Sequence, residues 1–334
     1  MNPKRPIDAL RDSGGSMDIG TKAEGAITDL ISTAEALYIV KERSVYAVQT
    51  ADQIDPGRTN PVIPNTQQRV LAIGSESPIV VRTLLTGQTL FKKTMLGKEF
   101  DEQSAIGLAL GLLKDLAAMD DVRSSLEEAE RLARASYEKE SNRNRSALPS
   151  LGDCKARLDA YAQKAGHVVN CLEEISKLFY GKSISVKWID SLSRLVEAKH
   201  GKEHGFSKYL AGAKPFLLFV LDMRNMIEHP RPEKRIEVDD YKLLASGEIN
   251  SPSFKMVRSG EDATTGSLIA LMRQITEDLI AVAEVLMGHL CNANVQPFAD
   301  LPIQVVELPE EQRANKLLRL SYGFYQGDQI VRFG

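Results

Sequence analysis

Four stretches between Asp153 and His289 repeat apolar residues at helical spacing, and this pattern constrains the fold more than any other feature of the chain. In the first, Asp153 to Tyr180, the residues Leu158, Tyr161, Ala165, Val168, Val169, Leu172, Ile175 and Phe179 share one stripe of a 3.6-residue repeat. Gly181 ends it, because glycine tolerates the backbone conformation that stops a helix. A shorter helix carries Val186, Ile189, Leu192 and Val196, and Gly201 to Gly205 reads as a turn. The third helix spans Ser207 to His229, with an irregularity expected at Pro215, which has no backbone donor. Its second half, PFLLFVLDMRNMIEH, starts apolar on nearly all sides and so belongs centrally in a bundle. The fourth runs from Thr264 to about His289 with Leu268, Leu271, Met272, Ile275, Leu279, Val282, Leu286 and Leu290 in register. Short connections imply antiparallel neighbours.

Between the third and fourth helices, IEVDDYKLL and SFKMVRS predict two or three short strands, an insertion over 231–260. Further upstream, Ile27, Leu30, Ile31, Ala34, Leu37, Tyr38, Val45 and Val48 suggest a helix across Glu24 to Val48. The prolines at 56, 61 and 64 mark a loop, and Ser104–Met119 and Asp120–Tyr137 read as two successive helices. NRNRSALPSLGD, at 142–153, has linker chemistry. The expected fold class is therefore mainly α: a multi-helix bundle with a small β insertion and a short β-rich C-terminal tail. The expected organisation is a disordered leader over 1–20, a mostly helical N-terminal domain over 21–149, a four-helix bundle over 150–292 and a β-rich tail over 293–334.

At 43% hydrophobic and 26% charged residues the composition excludes fibrous and wholly disordered classes. A net charge of -3 gives no global pull on nucleic acid, although a local basic patch needs none. No apolar run reaches the roughly 20 residues a membrane helix requires, and the first twenty residues lack the apolar segment of a signal peptide. Cys154, Cys171 and Cys291 are widely spaced, as single thiols in a reducing cytoplasm would be. The five histidines form no zinc-ligand pattern, so neither metal nor cofactor is expected; His200 and His204 in HGKEHG lack further ligands.

Chemistry concentrates at the end of the third helix, RNMIEHP, residues 224–230. Asn225 and His229 lie one turn apart on one side, and Arg224 and Glu228 form the neighbouring i,i+4 pair. Arg224 and His229 stand about 140° apart around the axis, a separation the long arginine side chain can bridge. Pro230 stops the helix at once and puts the imidazole at the rim. Histidine exchanges protons near neutral pH and suits general acid or base work on an RNA 2′-hydroxyl or 5′-oxygen. Arginine grips phosphate in two-pronged fashion and stabilises the charge of its transition state, with Asn225 and Glu228 as supporting groups. Arg231, Lys234 and Arg235, just beyond the helix, are candidates for contacting RNA. The same four polar residues also suit a solvated helix rim.

This segment resembles the hallmark of the HEPN superfamily, an arginine and a histidine four to six residues apart with a polar residue after the arginine: here Arg224, Asn225 and His229. The resemblance covers roughly 150–292. It implies a helical bundle that homodimerises so that two motifs face one another, with Arg224 and His229 catalytic and Asn225 supporting. The implied activity is metal-independent endoribonuclease cleavage, in a toxin–antitoxin or phage-defence setting with a cognate antitoxin or defence partner and no membrane. The alternative is a non-catalytic HEPN-like module that binds nucleotide or RNA, or a structural adaptor.

Overall fold

The computed structural model describes residues 4–13, 16–140, 147–298 and 301–333. After a short N-terminal helix, Pro6–Asp12, come four strands: β1 (Ile27–Ser32), β2 (Leu37–Lys41), β3 (Val45–Gln49) and β4 (Thr66–Leu71). The long helices α1 (Glu102–Glu140), α2 (Cys154–Tyr180), α3 (Trp188–His200) and α4 (Gly205–Glu228) follow. Then come β5 (Arg235–Asp239), β6 (Lys242–Leu243), β7 (Ile249–Asn250), β8 (Ser253–Val257), β9 (Thr264–Ser267) and helix α5 (Leu268–Asn292). Strands β10 (Gln304–Glu307), β11 (Leu320–Gln326) and β12 (Gln329–Arg332) close the chain. The chain divides into two compact units: residues up to Leu110 with those from Val295 onward, and Gly111–Asn294.

The expectation of a mainly α protein is corrected. Among the described residues helix makes up 51% and strand 18%, in four separate sheets, so the protein is mixed α/β. The largest sheet, antiparallel β1-β2-β3-β4, occupies the stretch expected to be helical over Glu24–Val48. The cause lies in LYIVK and VYAVQ, where β-branched and aromatic residues favour a pleated strand. Residues Tyr38 to Lys41 are all buried, so both faces of β2 are covered and the alternation that marks a strand is lost. Ile27 and Leu30, which fall on the expected helical stripe, are 51% and 58% exposed on the edge strand β1. The leader expected over 1–20 contains a short helix, Pro6–Asp12, and its residues 1–3 and 14–15 lie outside the described residues. Residues 142–146 of the expected linker lie outside them as well.

In the first unit, the turn between β2 and β3 is fixed from several sides. Lys41 is buried, and its Nζ donates to the Ile19 and Thr21 carbonyls at 2.8 and 2.7 Å. The Ser75 and Glu76 amides donate to the Lys41 and Glu42 carbonyls, each at 2.9 Å. A helical segment from Pro78 to Leu90, wound as a π-helix over Val81–Leu85, supplies Val80, Val81, Leu84 and Leu90 to the core. The Tyr322 hydroxyl of β11 donates to the Leu90 carbonyl at 2.6 Å.

In the second unit, α2 and α4 pack along their lengths, and two tyrosines anchor both to α5. The Tyr161 hydroxyl donates to the Met272 carbonyl at 2.5 Å, and that of Tyr209 to the Val282 carbonyl at 2.7 Å. Desolvation pushes both phenols up, so they stay neutral donors at any working pH. Helix α4 continues through Pro215, whose ring stands on an exposed position. The insertion after α4 holds five strands: the sheet β5-β8-β9 and the hairpin β6-β7. Asp240, just after β5, receives the Leu151 and Gly152 amides and the Ser150 hydroxyl at 2.8 to 2.9 Å. Burial would raise its carboxyl, but these donors outweigh burial and hold it below the usual range. Among the described residues no helix is long and apolar enough to cross a membrane.

Candidate functional site

Helix α4 ends where the sequence places its polar cluster. His229 is the C-cap, its amide donating to the Asn225 carbonyl at 2.9 Å, and its side chain is exposed. Arg224 is set differently. Its side chain crosses Gly166 of α2 so closely that a Cβ there would stand 2.7 Å from the Arg224 Cδ. Nε donates to Glu228 Oε1 at 2.8 Å, and the side chain is 30% exposed. Arg224 and Glu228 share a cavity of about 220 Å³ with Asp159, Ala162, Gln163 and Ile227. Asp159 Oδ1 is buried there without a hydrogen-bond partner, an acceptor that a ligand N–H or O–H would satisfy.

Asn225 belongs to another opening. It lines a groove of about 750 Å³ with Leu218 and Asp222 of α4 and with Lys234 and Arg258 of the insertion. The motif therefore presents two faces. Arg224 and Glu228 look along α2, whereas Asn225 joins the groove on the opposite flank of α4. Among the described residues no hydrogen bond or ion pair joins Arg224 to Asn225 or to His229.

The candidate RNA-contacting residues are likewise separated. Arg231 is exposed and closes a tight turn with Lys234 through paired backbone hydrogen bonds at 2.9 and 3.0 Å. Lys234 pairs with Asp222 in the groove. Arg235 is occupied by Glu237, with Nε donating at 2.8 Å, and by the Pro232 carbonyl.

Sequence reasoning missed Asp159, Gln163 and Gly166, and it had a signal for them. They fall at i, i+4 and i+7 on α2, hence on one face, and a glycine in the middle of a helix costs about 1 kcal/mol unless close packing requires it. Phe219 and Arg258 had no such signal, because only the folded insertion brings Arg258 over the ring, at 5.4 Å from its centroid.

Cys154 and Cys171 offer no nucleophile near neutral pH, since burial pushes the first up to about 11 and the second to about 12. Among the described residues no three His, Cys, Asp or Glu side chains are grouped to hold a metal ion. The histidines of HGKEHG work in the fold. His204 caps α4 by accepting the Phe206 amide on Nδ1 at 3.2 Å, and its ring stacks on His200 at 4.7 Å. His289 of α5 lies against Phe206 and Tyr209, with centroids 5.1 and 4.9 Å away.

Burial first, then the neighbouring His204, holds His289 below the ordinary histidine range; burial, His204 and Lys199 do the same to His200. The unfolded chain thus takes up protons below about pH 6.5 that the fold refuses. This stability is complete above that pH and is lost as the pH falls toward the depressed folded values. The urea midpoint is expected to drop between about pH 7.5 and pH 5.5, and less steeply in His289→Phe, which keeps the ring stack without the titration. Equal slopes in the two proteins would reject the assignment.

No family model, no curated protein and no solved structure matches the chain.

Proposed function

We propose that the chain is a metal-independent endoribonuclease of the HEPN type, working as a homodimer in which two copies of the α4 terminus face one another. The observation that carries this reading is the open rim of α4, where His229 is exposed and Arg224 is seated in the Gly166 notch and braced by Glu228. Among the described residues of one copy no hydrogen bond or ion pair joins Arg224 to His229, and a site built from two copies uses both. His229 takes the 2′-hydroxyl proton, and the 2′-oxygen attacks the adjacent phosphorus as the bond to the 5′-oxygen breaks. The partner's His229 gives a proton to the leaving 5′-oxygen, and Arg224 stabilises the charge on the phosphorane. The products are a 2′,3′-cyclic phosphate and a 5′-hydroxyl. A reducing cytoplasm suits a chain with free thiols, and a toxin–antitoxin or phage-defence role with a restraining partner accompanies the reading.

A second reading is favoured by one observation: Glu228 occupies the Nε edge of Arg224. Held there, the arginine serves a cleft that binds RNA or nucleotide without cutting it.

The test is incubation of the purified protein with an end-labelled single-stranded RNA in EDTA. The expected result is fragments ending in a 2′,3′-cyclic phosphate, with cleavage reduced at least about a hundredfold in His229→Ala. No cleavage above that of His229→Ala would reject the nuclease, and saturable binding without turnover would establish the second reading.

A further inference from the structure

The groove beside Asn225 follows α4 toward the helix end. Pro215, Leu218, Asp222 and Asn225 all line it, and at helical spacing they form a single stripe. His229 is the next position on that stripe, about 10 Å along the axis from Asp222, the span of about three stacked nucleotides. The opposite wall comes from the insertion, where Arg258 and Ser259 follow β8.

Within this groove one element is built as a flat platform. The Arg258 guanidinium lies over the Phe219 ring, with Asp222 at 3.6 Å from Nε and Glu261 at 3.8 Å from Nη1. Its Nε is buried and has no hydrogen-bond partner. Planar guanidinium and aromatic surfaces are what unpaired RNA bases stack upon, while the edges of a base seek donors and acceptors such as Asn225 and Ser259. A volume of about 750 Å³ suits a nucleotide. Lys234 and Arg258 are balanced by Asp222 and Glu261, so the groove offers no net attraction to phosphate, and stacking with edge recognition is left to select the ligand.

We infer that this groove is a subsite for an unpaired nucleotide of a single-stranded RNA whose path continues along α4 to His229. The direction of the strand rests on the ribonuclease reading; occupancy of the groove is read by binding alone.

The experiment uses the full-length His229→Ala protein, which leaves the RNA intact, and follows the anisotropy of a fluorescein-labelled ten-nucleotide RNA of mixed sequence. In that background Leu218→Glu and Arg258→Ala are each expected to weaken binding about tenfold or more. Leu218 is 45% exposed, so its replacement spares the core, and thermal melting verifies both variants. The same sequence as a duplex, and AMP or UMP as competitors, are expected to bind at least about tenfold more weakly than the strand. Unchanged affinity in both variants, or no binding of the strand, overturns the subsite. Equal affinity for mononucleotides also overturns it, in favour of a free-nucleotide pocket. If the unsubstituted protein cuts RNA while both groove variants bind normally, the subsite fails and the nuclease stands. If it does not cut, yet both variants lose binding, the subsite stands and the nuclease fails.

Discussion

Arg224→Ala is expected to lower RNA cleavage in EDTA by about a hundredfold to a thousandfold while moving the thermal midpoint by only a few degrees. The two effects separate because of where the side chain sits. Its ion pair with Glu228 is partly solvated and spans one helical turn, an arrangement worth under about 1 kcal/mol. By contrast, removing one well-placed donor to a developing oxyanion typically costs two to three powers of ten in rate. Arg224→Lys keeps the charge but loses the planar fork, and is expected to recover less than a tenth of the lost rate. Single-turnover cleavage and circular dichroism melting decide the matter. A variant that cuts normally, or one that has unfolded, would defeat the claim.

Gly166 makes the same argument without touching the motif. A methyl group there collides with Arg224 Cδ, and the arginine side chain is what yields. Alanine gains up to about 1 kcal/mol in helix propensity over glycine, which offsets the crowding. Gly166→Ala is therefore expected to fold with near-normal stability and to cleave at least about tenfold more slowly, since the guanidinium leaves its seat beside Glu228. Unaltered cleavage would show that this seat has no bearing on catalysis.

What was readable in the sequence follows from the range of the interactions involved. The stripes of α2 and α5 were legible because each helix buries one face, and the pattern registers that burial locally. The end of α4 was legible for the same reason: Pro230 and the run of polar residues stop it within a residue of where it stops. The expected break at Asp120–Asp121 does not occur. Arg123 pairs with Asp120 and Glu127 along the helix at 2.6 Å each, so the acidic pair sits inside one continuous α1. Strand β2 was missed because a strand covered on both faces has no alternation, and a short apolar run suits either element. The two flanks of α4 were partly legible, since the helical repeat puts Arg224 and Glu228 on one side and turns Asn225 away from them. The walls facing them were not. Asp159 lies 65 residues before Arg224, Arg258 lies 34 after it, and only the packing of α2 and the insertion brings them near.

The largest expected loss of stability falls on a buried glycine of the first unit. Gly74→Ala is expected to cost about 3 kcal/mol, a fall of roughly 6 to 12 °C in the thermal midpoint for a domain of this size. A Cβ at Gly74 would stand 2.0 Å from the Lys41 carbonyl oxygen and 2.6 Å from the Ser44 nitrogen, all backbone, with no flexible side chain to move aside. That backbone cannot retreat cheaply. The Lys41 amide donates to the Ser44 carbonyl at 2.8 Å, and its carbonyl accepts the Ser75 amide at 2.9 Å. Asn315 Nδ2 donates to the Ser75 carbonyl at 2.9 Å, so displacing the 74–76 segment strips hydrogen bonds from both sides of the contact. Buried backbone groups left unpaired add about 1 to 3 kcal/mol each, which sets the scale of the loss. Gly107→Ala in α1 is the control: nothing lies within 4 Å of its Cβ, and the same chemical change there is expected to raise stability by up to about 1 kcal/mol. Calorimetry of the two variants compares them directly, and a Gly74→Ala midpoint within a degree or two of the unsubstituted protein would mean that the β2–β3 turn does not rest on residue 74.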